Sequence, residues 1–170
     1  SSRMGDNLIG FIPPADQIDS PRWVVIGAHY DHLGYPFLGA DDNASSIAIL
    51  LETARNLTSS YRHGIILVAF NTEESPYFGT ADMGSQFLFH HLPPEIGRAD
   101  NIHAAIIMDL MGGVQWTPLK DAIFATGAEK SPELYRRLKQ TPASSLTVFP
   151  VGVHLVEEIP DQGHKAFSDY

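Results

Sequence analysis

The sequence predicts an α/β fold in three layers, a mostly parallel central sheet with helices on both faces. Three observations carry that prediction. Continuous β-branched runs recur along the chain, helical patterns separate them, and the long runs finish on side chains able to bind a metal.

Each element has its own reason. Asn7–Ile12, ended by Pro13-Pro14, reads as an edge strand, because proline cannot donate to a ladder. Trp23–Ala28 is a continuous apolar run, suited to a strand buried on both faces. Ile47, Leu50, Leu51, Ala54 and Leu57 recur at helical spacing and predict a helix from about Ser45 to Thr58. Gly64–Phe70 is the second buried run and Ala104–Met108 the third, with Leu146–Phe149 a shorter one. Gly84–Leu92 predicts a second helix, and Pro132–Gln140 a third with Pro132 near its first turn. Right-handed crossovers through this β, α, β, α, β, α, β order place helices on both faces.

Composition narrows the function. The 170 residues fit one domain, and their net charge of −9 argues against nonspecific nucleic-acid binding. No stretch approaches the roughly 18 apolar residues of a membrane span. The first six residues carry no apolar signal region. Zero cysteines exclude disulfides, thiolate metal sites and cysteine nucleophiles, while leaving the compartment open. Eight histidines among 20 acids leave a nitrogen- and oxygen-bound metal in play.

In open α/β sheets, ligands bind beyond the carboxyl ends of the strands. The first long run ends in His29-Tyr30-Asp31-His32, the second in Asn71-Thr72-Glu73-Glu74 and the third in Asp109. Asp41, Asp42, Asn43 and Ser45 precede the first helix, where such residues commonly cap free amides. Several carboxylates crowded at one edge repel one another unless a cation offsets them. Oxygen plus imidazole suits zinc first, with manganese or cobalt as alternatives. A metal-bound histidine usually donates its second ring proton to a carboxylate, and Asp31 shares the side of His29. His32 reads as a rim residue.

The segments Val24–Asp31, Gly39–Ser45, Asn71–Glu74 and Ile107–Gly112 resemble the co-catalytic di-zinc aminopeptidases, the bacterial leucyl aminopeptidase and aminopeptidase Y type. Gly84-Ser85 with Phe87 resembles the family's Gly-Ser-x-x-Phe segment, Phe87 standing one residue early. The similarity runs from about Trp23 to Phe167 in the family's order. It implies a zinc-exopeptidase (phosphorylase/hydrolase-like) fold and two Zn²⁺ ions per chain. His29 and Asp109 would hold one ion, Glu74 and a late histidine the other, and Asp42 would bridge them. Asp42 takes that role over Asp41 because the family ligand directly precedes the Asn-Ala-Ser stretch. The resemblance also implies a cis peptide between Asp42 and Asn43, Glu73 as general base and Asp31 as the residue orienting His29.

The late histidine is assigned to His164, which keeps the His-x-x-Phe spacing with Phe167. A rival alignment places Tyr170 at that position. His63, His90, His91, His103 and His154 match nothing in the family and read as ordinary residues. Ser46 stands where the family has glycine, and Ser75–Asp82 is longer than in the simplest members. Tyr77 and Phe78 in that segment are candidate substrate-pocket walls, or packed aromatics of a surface loop. The implied substrates are peptides with a free N-terminus, and export is compatible with the resemblance. Carboxypeptidase or dipeptidase specificity, a glutaminyl cyclase-like acyltransferase with one zinc, and an inactive binding homologue are the alternatives. The family continues beyond His-x-x-Phe into a further strand and helix. The expectation is therefore one catalytic domain over residues 1–170, incomplete at its C-terminal end.

Overall fold

The computed structural model describes residues 5–16, 21–57, 61–112, 122–127, 130–140 and 147–151. The elements in chain order are β1 (Leu8–Ile12), β2 (Trp23–His29), α1 (Ala44–Asn56), β3 (Gly64–Phe70), α2 (Gly84–His90), β4 (Ile102–Ile107), β5 (Ala122–Thr126), α3 (Pro132–Gln140) and β6 (Thr147–Val151). A short 3₁₀ turn, Ala99–Asn101, leads into β4.

Four strands form one sheet in the order β1-β3-β2-β4. β2 runs parallel to β3, pairing Trp23 with Gly64 through His29 with Phe70, and parallel to β4 on its other side. β1 is antiparallel on the outer edge of β3, pairing Leu8 with Ala69 through Ile12 with Ile65. The chain steps from β2 to β3 in one direction and returns across β2 to reach β4. Right-handed crossovers in opposite directions require helices on opposite faces.

The packing follows that requirement. Trp23, Val25, Ile66, Val68 and Phe70 share one face of the sheet, and Leu88 of α2 and Ile96 pack onto it. α1 lies against β2 and β3 and buries Ser46 and Leu50. Gly27 sits mid-strand beneath Phe70 and Ile107; a Cβ there would lie 2.5 Å from the Phe70 ring, so the central strand leaves no room for a side chain.

The expected boundaries shift by a few residues. α1 begins one residue early and ends at Asn56, and α2 stops at His90, ahead of Pro93-Pro94. β5 lacks a long apolar run that would mark it as a strand in the sequence. It pairs in parallel with β6 in a two-stranded sheet separate from the first. Pro150 is tolerated there because β6 has one ladder partner among the described residues. The reversal of strand order between β2 and β4 creates a crevice at their carboxyl ends, where such sheets bind ligands.

Candidate metal centre

His29 is the last residue of β2 and is 3% exposed. Its Nδ1 lies 3.2 Å from the Asp31 backbone oxygen and 3.6 Å from Asp31 Oδ1. Two oxygens beside Nδ1 place the ring proton there, which turns the lone pair of Nε2 toward the crevice. That Nε2 faces Asp42 Oδ1 at 3.1 Å, Asp109 Oδ1 at 3.5 Å and Glu73 Oε2 at 3.7 Å. It is buried, yet it makes no directed hydrogen bond to any of them. A lone pair facing three carboxylates is repulsive and calls for a cation, either a proton or a metal.

The pKa values express the same conflict. Burial pulls the His29 imidazolium down, but the neighbouring Asp109 and Asp31, with the charge of Glu73, raise its pKa to about 10. Burial pushes Glu73 up to about 7, with His29 opposing and Asp109, Glu74 and Asp31 adding to the rise. Asp42 is raised by burial and by Asp109, and Glu74 by burial and by Asp42. Asp31 moves the other way: burial raises it, but His29 and the Glu74 and Glu73 amides together hold it below its ordinary value. The donor atoms of His29, Asp42 and Asp109 all lie within 4.8 Å of one another. A buried nitrogen without a directed hydrogen bond, surrounded by hard oxygens, fits a zinc-type divalent ion.

Local backbone geometry delivers these groups. Asp31 accepts the Glu73 N–H at 3.2 Å and the Glu74 N–H at 3.0 Å, so one carboxylate joins the end of β2 to the turn after β3. Thr72, just before the glutamates, has φ +54°, and Leu110, just after Asp109, has φ +50°. Left-handed backbone is costly for a β-branched residue, and such strain gathers at functional sites. Thr72 is held by its Oγ1, 2.7 Å from both the Asn71 and Asp82 oxygens. Asn71 is tied in turn to the start of β1, since its N–H donates to Asn7 Oδ1 at 3.0 Å.

Several expectations meet the structure directly. His29, Asp42, Asp109, Glu73 and Asp31 come together at one sheet edge. Glu74 lies close enough to Asp42 for the two charges to interact. The Asp42–Asn43 peptide is cis. The capping reading of the Asp41–Ser45 run is corrected. Asn43 is the N-cap residue but caps nothing with its side chain. Its Nδ2 donates instead to the Met108 oxygen at 3.0 Å, and its Oδ1 accepts the Leu110 N–H at 3.3 Å.

Tyr77 is half-buried and Phe78 half-exposed, in a chain of turns closed by bonds such as Tyr77 N–H to the Glu74 oxygen. His32 accepts the Gly34 N–H and stands apart from the cluster. His63 and His103 pair with each other at the opposite edge of the sheet, their ring centroids 4.7 Å apart. His164 and His154 lie outside the described residues.

The chain is similar to several known proteins. The chain is 31% identical over 137 residues to Aminopeptidase YwaD of Bacillus subtilis (strain 168), covering 79% of this chain and 25% of that protein. It is 43% identical over 88 residues to the uncharacterized protein YfbL of Escherichia coli (strain K12), covering 46% of this chain and 26% of that protein. It therefore spans about a quarter of the length of these curated relatives. Among solved structures it superposes on the glutaminyl cyclase of an Acidobacteriales bacterium with TM-score 0.62 at 25% identity, over 86% of this chain and 51% of that one. It superposes on BSAP, a zinc aminopeptidase from Bacillus subtilis, with TM-score 0.57 at 25% identity, over 86% of this chain and 35% of that one. The match to a whole family runs from residue 7 to residue 157, through every strand end that carries the cluster, and the chain belongs to peptidase family M28.

Proposed function

We propose that this chain is the catalytic core of a metal-dependent exopeptidase, an aminopeptidase that hydrolyses peptides with a free N-terminus. The observation that carries the reading is the buried His29 Nε2, without a directed hydrogen bond and set among Asp42, Asp109 and Glu73. His29 and Asp109 would hold one divalent ion, Glu74 and His164 a second, with Asp42 serving both. Bound there, the ions supply Lewis acidity to the scissile carbonyl and to the attacking water. Glu73 would take a proton from that water and deliver it to the leaving amine, from a largely buried position 3.7 Å from His29 Nε2. Asp31 holds the His29 ring and the Glu73–Glu74 backbone in register. Tyr77 and Phe78 border the substrate. The acidic surroundings favour a substrate ammonium.

The structural likeness to a glutaminyl cyclase supports a second reading, intramolecular acyl transfer on N-terminal glutamine with one zinc. One experiment separates the two. The zinc-loaded protein is assayed on aminoacyl-anilides, on their N-acetylated forms and on a peptide with N-terminal glutamine. Release from the free-amine substrates, abolished by a chelator and restored by Zn²⁺, is expected. Cyclisation of the glutaminyl peptide without anilide release selects the second reading. Turnover that survives chelation contradicts both.

A further inference from the structure

The loop before α1 carries three consecutive polar residues, and only the middle one, Asp42, has its carboxylate in the metal cluster. Its two neighbours both reach across the crevice to the segment that follows β4. Asn43, 1% exposed, grips the two residues flanking Asp109 through Met108 and Leu110. Asp41 Oδ1 accepts the Gly112 N–H at 2.8 Å, across 71 residues of sequence. The loop is itself braced, since Ser45 Oγ donates to the Asp41 backbone oxygen at 2.7 Å. Gly112 approaches so closely that a Cβ would lie 2.7 Å from Ser45 Cβ and 3.2 Å from Asp41 Oδ1.

We infer that Asp41 and Asn43 are positioning residues for Asp109: they clamp the Met108–Gly112 segment so that its carboxylate meets the ion held at His29. The inference rests on the metal-centre reading of the site. β4 ends at Ile107, the Met108 N–H still donates to the Gly27 oxygen at 2.9 Å, and Leu110 has left-handed backbone, so the chain turns out of the sheet at Asp109. Without the clamp, the hydrogen bonds that hold this turn over the crevice are lost. Toward Gly112, Asp41 acts as a hydrogen-bond acceptor. An asparagine at position 41 would keep the accepting oxygen, whereas an alanine would not. Outer-shell partners of this kind usually change metal affinity about 10–100-fold.

The test titrates Zn²⁺ into chelator-stripped full chain labelled with ¹⁵N-histidine, and follows the Nε2 signal of His29. Asp41→Ala is expected to weaken the ion at His29 about 10–100-fold. Asp41→Asn is expected to stay close to wild type, and the stripped Asp41→Ala protein to melt with the stripped wild type. Gly112→Ala, which forces the loop away from Ser45, should reproduce the weakening from the other side of the crevice. Wild-type affinity in Asp41→Ala overturns the inference, as does equal weakening in Asp41→Ala and Asp41→Asn. A wild-type His29 signal that ignores zinc overturns the metal-centre reading itself, and the inference with it.

Discussion

Glu73→Gln is expected to cut kcat for aminoacyl-anilides by about 10²–10⁴-fold, the usual contribution of a positioned general base, while bound metal is unchanged. The carboxylate is largely buried and sits 3.7 Å from His29 Nε2, next to the ligands but outside the group of atoms that converge most closely. Glutamine keeps the shape and the packing, and removes the ability to take a proton. It also relieves repulsion, because burial and the neighbouring carboxylates disfavour charge on Glu73. Metal content and stability should therefore hold while turnover falls. A variant with wild-type kcat would remove Glu73 from the proton-transfer role; one that has lost its metal would make it a ligand.

Asp42→Ala is expected to have the largest effect on metal. Its Oδ1 is the nearest carboxylate oxygen to His29 Nε2, at 3.1 Å, and its charge also acts on Glu74. A residue placed between the two halves of the site should, when removed, empty both. Elemental analysis of the dialysed variant should find both ions lost. The control follows from linkage. Burial and the Asp109 carboxylate raise the pKa of Asp42 in the folded chain, so its ionised form opposes the metal-free fold. The stripped variant should therefore melt no lower than the stripped wild type. Full zinc occupancy in Asp42→Ala would sink the bridging role.

The parts of the molecule written in local patterns were legible in advance. The three apolar runs and the helix at Pro132 carry their own periodicity, and strands β2, β3 and β4 appear where those runs stand. The site followed because in a parallel sheet the residues just after the strands converge, so His29, Glu73 and Asp109 could be placed together from their positions alone.

What escaped depends on distance along the chain. β5 is short, and Ala122–Thr126 alternates too little to stand out from a loop. Asn43 and Asp41 carry the composition of a helix cap, and nothing nearby shows that their partners are Met108, Leu110 and Gly112. Thr72 is an ordinary residue in sequence. Its left-handed backbone lies in a turn held from two other segments, by Asn7 through Asn71 and by the Asp82 oxygen.

Under the proposed function, this edge of the sheet holds two ions. The most direct test is the zinc content of the wild-type chain, equilibrated with excess Zn²⁺, dialysed, and measured by elemental analysis against amino-acid quantitation. Two ions per chain is the predicted result. A single ion would contradict the paired site, and a protein that retains none would contradict the metal centre altogether.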